Sequence, residues 1–158
     1  MTDNIGFTVV SPMFNEEENV AVTVGRIEEA LRGLPESWEL VLVDDGSTDG
    51  TLAAARALEK DRRWLRVVSY PENRGRGKAL RTGFAAARGR IIATTDFDLS
   101  YSPDHLRRIY DTLRENPGVD VVLGSPYMPG GTVKDVPWIR HVVSRWGNRL
   151  LSFAVGGG

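Results

Sequence analysis

Two acidic pairs and one basic, glycine-rich loop hold the chemistry that can be read from this sequence. Asp96-Phe97-Asp98 sets two carboxylates one residue apart. At the end of a strand, such an Asp-x-Asp can present two oxygen ligands to a hard divalent ion, and Mg2+ or Mn2+ suits them far better than zinc. An ion held by only two carboxylates keeps open positions, which a diphosphate can fill while the ion neutralises the charge on a departing group. The competing reading is that Asp96 or Asp98 merely caps the helix after Ser102.

The segment Asp44-Asp45-Gly46-Ser47-Thr48-Asp49-Gly50-Thr51 combines short polar side chains with glycines, a composition that folds back over its own backbone. An Asx-turn and a helix cap at Ser47 or Thr48 are expected from it. Asp44 and Asp45 can in addition accept hydrogen bonds from a base edge or from ribose hydroxyls. Asn73-Arg74-Gly75-Arg76-Gly77-Lys78 opens a helix and offers amides, a helix N-terminus and cations, Lys78 among them, to phosphate. A solvated basic turn is the alternative. The loop is neither of two well-known phosphate loops: Ala79 follows Lys78 where a Walker loop has Ser or Thr, and Leu80 replaces the third glycine of GxGxxG. His105 and His141 have no partner at metal or triad spacing and read as surface or helix residues.

For these groups to meet, the surrounding elements must deliver them to one edge. Phe7 to Val10, Glu39 to Val43, Leu65 to Ser69, Arg90 to Thr95 and Val119 to Leu123 are short apolar runs that predict five strands. Between the first two, Val20, Val24, Ile27, Leu31 and Leu34 recur at helical spacing, with Glu16, Glu17 and Glu18 in the first turn and Gly33 and Pro35 at the end. Thr48 to Lys60 and Lys78 to Arg88 read as helices, as does the stretch from Ser102-Pro103-Asp104 to about Glu115. Strand and helix alternate with connections too long for hairpins, so a mostly parallel sheet covered on both faces is expected. Ligands of such sheets bind beyond the carboxyl ends of the strands. That edge would collect Pro12, Asp44, Asp45, Asp96 and Asp98, and the repulsion among four carboxylates there is unfavourable unless a cation or sugar hydroxyls take them up.

The chain has 158 residues, enough for one ordinary domain. Its 20 basic and 21 acidic residues create no field that would favour nucleic acid. The lack of cysteine excludes disulfides, thiolate metal sites and cysteine nucleophiles, and it suits a reducing compartment. Met1 to Gly6 is polar, and the apolar run after it is too short for a signal peptide. No apolar stretch approaches the roughly 20 residues of a spanning helix. Val136 to Val155 nevertheless has an interface pattern: Ile139, Val142, Val143, Trp146, Leu150 and Phe153 follow helical spacing, with Arg140, Arg145 and Arg149 interspersed. That helix either lies on an anionic membrane surface or packs its apolar side on the domain core.

Pro12-Met13-Phe14-Asn15-Glu16-Glu17, the acidic turn from Val43 to Thr51, Asn73 to Lys78 and Asp96-Phe97-Asp98-Leu99-Ser100, taken in order, resemble glycosyltransferase family 2. Asp98 to Pro103 and Gly124-Ser125-Pro126-Tyr127-Met128-Pro129-Gly130-Gly131 are similar to its dolichyl-phosphate mannosyltransferase branch. The resemblance covers almost the whole chain and implies a GT-A fold over residues 1–135, followed by the interface helix of residues 136–158. It implies that Pro12, Phe14, Glu16 and Asp44 surround the nucleoside. It makes Asp96 and Asp98 the catalytic pair that holds metal and diphosphate, and it puts Ser100 where a third ligand is found. It further implies inverting, metal-dependent transfer of a hexose to a polyprenyl phosphate from the cytoplasmic face of a membrane, with the chain bound peripherally. GDP-mannose is preferred over UDP-glucose as donor on resemblance alone.

In that branch a lipid phosphate oxygen, already ionised at neutral pH, attacks the sugar, so positioning and charge neutralisation carry most of the barrier lowering. Two departures qualify the expectation. The family's Gly-Ser-Arg-Tyr motif has an arginine implicated in gripping the acceptor phosphate, and Pro126 takes its place; Arg140 and Ser144 match further acceptor-side positions. Members of the family also usually continue past this length, so the chain is expected to be a truncated form. A family 2 enzyme with a saccharide acceptor, or a nucleotide-sugar-binding module without turnover, stands as the alternative.

Overall fold

A computed structural model describes residues 5–98 and 102–124 of the chain. In chain order the elements are β1 (Phe7–Met13), a 3-10 turn at Glu17–Asn19, α1 (Val20–Leu31), β2 (Trp38–Asp45), α2 (Thr51–Glu59), β3 (Leu65–Tyr70), α3 (Arg76–Ala86), β4 (Ile91–Thr94) and α4 (Asp104–Glu115). The four strands form one sheet in the order β3-β2-β1-β4, and every pairing is parallel.

Successive residues of the two central strands point to opposite faces, and both faces are buried, as parallel strands between helices require. Leu40 and Leu42 join Phe7 and Val9 in the larger core, against Val20, Val24, Ile27 and Leu31 of α1, Ala55 of α2, and Leu106 and Tyr110 of α4. Val41 and Val43 face the other way with Val10, against Ala79 of α3. The allocation of helices follows from winding direction. The chain moves outward from β1 to β2 to β3 and then returns past both to form β4, and a crossover of constant hand must then change face. The close seating of α3 depends on Gly83, where an added Cβ would stand 2.2 Å from Val10 Cγ1 and 3.1 Å from Val43 Cγ2.

The reversal leaves a crevice between the carboxyl ends of β1 and β4, the topological switch point where ligands of open sheets bind. Pro12 lies in β1 without harm to the ladder. Even-numbered residues of β1 serve β4, as Gly6 C=O accepts from Ile91 N–H and Val10 C=O from Thr95 N–H. Pro12 is the next such position, beyond the end of β4, so its missing N–H removes no sheet bond. β1 therefore runs to Met13 rather than stopping at Val10.

Among the described residues the expected fifth strand does not form: Val119 to Leu123 has no ladder partner there, and Val121 and Leu123 are 70% and 81% exposed. An apolar run becomes a strand only when a neighbour satisfies its backbone, and among the described residues nothing pairs with the outer edge of β4. The first helix also starts later than its acidic signal suggests, because Asn19 N–H donates to Glu16 C=O in the 3-10 turn at Glu17–Asn19 before α1 begins. No described helix is long and apolar enough to cross a membrane. The predicted helix over Val136 to Val155 lies outside the described residues.

Candidate functional site

At the switch point a crevice of about 360 Å³ is lined by Pro12, Phe14 and Glu16 from the end of β1, Asp45 from β2, Asn73, Gly75 and Arg76 from the loop into α3, and Asp96 and Asp98 after β4. Four separate loops thus bring groups widely spaced in sequence to one wall.

The β1 loop is fixed by side chains of the β2 loop. Asn15 adopts the left-handed region, with φ of 53°, and its Oδ1 accepts from Thr48 N–H at 2.9 Å while its own N–H donates to Ser47 Oγ at 3.0 Å. Glu16 N–H donates to Thr51 Oγ1 at 2.7 Å, and Gly50 N–H to Glu17 Oε2 at 2.9 Å. Asp49 binds the Thr51 hydroxyl and amide, and the hydroxyl bond is the first reason its carboxyl is held below the usual range. Local polar residues therefore act as caps and also tie two loops together. Phe14, 42% exposed, and Glu16 are carried to the rim by this lacing.

Asp44 and Asp45 diverge although adjacent, because strand residues alternate. Asp45 lines the crevice, and its Oδ1 accepts from the Tyr70 hydroxyl at 2.5 Å and from Arg74 N–H at 2.9 Å. Burial first, then the bond to Asp45, raises the Tyr70 pKa well above the ordinary phenol value. Asp44 is 1% exposed, off the crevice wall, and its Oδ1 has no hydrogen-bond partner among the described residues. A buried acceptor without a donor is uncommon in folded proteins and marks a place where a donor from outside the chain would be welcome. Gly46, at φ of +70°, makes the turn that follows, where a Cβ would sit 2.4 Å from the Glu72 carbonyl carbon and 2.5 Å from Asn73 N. The acidic turn and the basic loop therefore pack backbone against backbone.

Past β4 the chain leaves the sheet and turns at Phe97 and Asp98. Phe97 is buried in the main core, and its carbonyl accepts from Thr23 Oγ1 at 3.1 Å, while Asp96 and Asp98 both line the crevice. Ser11 Oγ donates to Thr95 C=O at 3.1 Å, joining the ends of β1 and β4 just below. Arg76 Nη2 reaches Asp96 Oδ1 at 2.5 Å. The helix after Ser102 has Pro103 at its N-cap and no side-chain cap; Ser102 Oγ only accepts weakly from Asp104 N–H at 3.4 Å.

The donor set offered to a metal is all oxygen, which fits Mg2+ or Mn2+. Among the described residues, no three His, Cys, Asp or Glu side chains converge on one point, so a cation here would depend on Asp96 and Asp98 together with ligand oxygens. Lys78 is exposed on the first turn of α3 and is not on the crevice wall; Arg76, two residues earlier, is. Ser100, Pro126, Arg140 and Ser144 lie outside the described residues. Arg76, Asn15 and Tyr70 contribute to the site although the sequence motifs and strand ends that contain them assigned them no individual role. The signals were their places: Arg76 in the basic loop, Asn15 in the motif after β1 and Tyr70 at the end of β3.

A second concavity of about 310 Å³ lies at the opposite end of the sheet, around Ile5, Gly6, Glu36, Ser37 and Arg90. The Glu36–Arg90 ion pair crosses it at 3.0 Å, and it gathers none of the sequence motifs.

The profile of glycosyl transferase family 2 matches residues 8–156. Polyprenol monophosphomannose synthase of Mycolicibacterium smegmatis is 36% identical over 95% of this chain and 56% of its own length. Dodecaprenyl-phosphate galacturonate synthase of Rhizobium johnstonii is 39% identical over 97% of this chain and 44% of its own. The chain thus spans about half the length of these curated relatives. Among solved structures, a mannosyltransferase from Pyrobaculum calidifontis in complex with GDP-Man and Mn2+ superposes with a TM-score of 0.63 at 28% identity, over 80% of this chain and 38% of the other.

Proposed function

The chain belongs to glycosyl transferase family 2 and has its GT-A fold, and from that premise we propose that it transfers a hexose, preferably mannose from GDP-mannose, to a polyprenyl phosphate with inversion at the anomeric carbon. The observation that carries the reading is the crevice in which Pro12, Phe14, Glu16, Asp45, Asp96 and Asp98 meet. The two relatives that act on polyprenyl-phosphate acceptors by name support the acceptor class, and the GDP-Man and Mn2+ of the structural relative support the donor and the ion.

In this reading Phe14, Glu16, Asp44 and Asp45 take the nucleoside. Asp45, on the wall, is already oriented by Tyr70, and the unpaired Oδ1 of Asp44, buried off the wall, would accept a bond from the ligand only once a local shift uncovers it. Asp96 and Asp98 hold a Mg2+ or Mn2+ ion, with Ser100 as a third ligand, and the ion supplies charge neutralisation on the leaving diphosphate. Lys78 and the first turn of α3 face phosphate from solvent. Arg140 and Ser144 grip the acceptor phosphate in the absence of the arginine that Pro126 replaces. Residues 1–135 form the catalytic domain, and residues 136–158 lie as an amphipathic helix on the cytoplasmic face of the membrane.

The test is calorimetric titration of GDP-mannose and UDP-glucose with and without Mn2+, followed by transfer to a polyprenyl phosphate. Metal-dependent binding of the mannose donor, lost on Asp98→Ala, supports the reading; unchanged affinity in that variant overturns the role of Asp98. A lipid-linked product with retained configuration contradicts the mechanism. Donor binding without any lipid-linked product selects the module without turnover, and transfer to a soluble sugar selects a saccharide acceptor.

A further inference from the structure

Arg76 begins α3 and reaches Asp96 at 2.5 Å, which joins the loop after β3 to the loop after β4 across the crevice that both residues line. The contact takes up one of the two carboxylates on which a cation would depend. It is also weakly held: the two side chains are 64% and 36% exposed, and an ion pair so solvated shifts an equilibrium by no more than about fivefold. The space over the first turn of α3 is open, since a Cβ on Gly77 would meet only Arg81 Nη1, at 3.8 Å.

The electrostatics of the wall give the contact a purpose. Glu16, Asp45, Asp96 and Asp98 share the crevice, and with no ligand present their mutual repulsion is relieved by a nearby guanidinium. A divalent cation at Asp96 reverses the situation, because Arg76 then faces a positive charge. A diphosphate offers it a planar, forked set of acceptors a short swing away.

We propose that Arg76 is a counter-ion with two partners, paired with Asp96 while the crevice is empty and transferred to the diphosphate of the donor when a cation takes Asp96. The proposal rests on reading the crevice as a nucleotide-sugar site. It assigns Arg76 opposite effects on two affinities. The residue competes with a cation that arrives alone and favours a cation that arrives with a diphosphate, so the site is biased against loading with metal only.

The test uses the 158-residue chain, with Mn2+ binding followed by the electron paramagnetic resonance of free Mn2+ and no nucleotide present, and GDP binding followed by calorimetry at saturating Mn2+. Arg76→Met is expected to bind Mn2+ alone about fivefold more tightly and GDP with Mn2+ about tenfold more weakly. Arg76→Lys, which keeps the charge but lacks the fork, is expected to lie between wild type and Arg76→Met in both. Equal thermal midpoints establish that the variants are folded. The exchange is overturned if Arg76→Met changes both affinities in the same direction or changes neither. Asp96→Asn separates that failure from a failure of the site itself. If Asp96→Asn abolishes Mn2+ binding while Arg76→Met is neutral, only the exchange is wrong; if Asp96→Asn leaves both affinities intact, the crevice is not the metal and donor site.

Discussion

The Tyr70 hydroxyl donates to Asp45 Oδ1 at 2.5 Å, across the ends of neighbouring strands β3 and β2, and the same Asp45 oxygen also accepts from the Arg74 amide. One phenol thus fixes an acidic side chain of the crevice and the start of the basic loop together. Because burial and this bond raise the Tyr70 pKa, the neutral phenol contributes stability that is present below the unfolded value of about 10 and is lost as pH rises through the folded value. An alkaline titration followed by phenolate absorbance should therefore show a late-ionising tyrosine that disappears in Tyr70→Phe. The same variant should weaken GDP binding several-fold by freeing Asp45; a full-strength GDP isotherm would remove Tyr70 from the positioning of the site.

At the other end of β2, Glu39 is fully buried and receives Arg88 Nε at 2.9 Å, Arg88 Nη2 at 2.6 Å, Arg88 N–H at 2.7 Å, Thr8 Oγ1 at 3.0 Å and Arg66 Nη1 at 3.3 Å. Burial pushes its carboxyl up, and the bonds from Arg88 and Thr8 outweigh it, so the folded pKa lies below the ordinary 4.5. The resulting stability is present above the unfolded pKa and is lost as pH falls through the folded one. Arg88→Ala should cost roughly 2–3 kcal/mol, less than a fully buried pair because Arg88 is half exposed and Arg66 remains. Acid unfolding followed by circular dichroism should move to higher pH in this variant, and an unmoved midpoint would count against the pairing.

Asn15 combines a left-handed backbone with a side-chain bond to Thr48. Asn15→Ala loses both the bond and the residue type that tolerates this conformation, and should cost about 1–2 kcal/mol in chemical denaturation. Asn15→Gly keeps the backbone at ease and should be the milder change in stability while still loosening the rim of Phe14 and Glu16, which GDP titration would register. If the two variants were equally stable, the backbone conformation would not be the limiting factor.

Gly83→Ala should destabilise by roughly 1–3 kcal/mol, because the new methyl overlaps Val10 Cγ1. Shortening Val10 to Ala in the same chain should recover part of that loss, and a denaturant series on the single and double variants measures the coupling. Strict additivity would mean that α3 simply moves away from the sheet.

Most of the framework was legible because parallel strands buried on both faces are bare apolar runs, and four of them carry their functional residues immediately after. Val119 to Leu123 misled for the same reason: apolarity is a property of the run, whereas a strand needs a neighbour. Within the site, the motifs identified the loops but not the direction of each side chain. Asp44 and Asp45 look equivalent in sequence and both are buried, yet strand alternation puts only Asp45 on the crevice wall. Lys78 and Arg76 look interchangeable as cations, and only the position of the first turn of α3 decides which one meets Asp96. The clamps made by Asn15 and Tyr70 were silent because their partners lie in other loops, 33 and 25 residues away.

The six steps of β2 from Glu39 to Asp45 span about 20 Å, with the ion network at one end and the ligand wall at the other. Changes at those two ends are far enough apart for their free energies to add. Such a division would let the rim be retuned for a different ligand while drawing on a reserve of stability kept elsewhere, and losses at the rim could be offset by reinforcing the far end without touching selectivity.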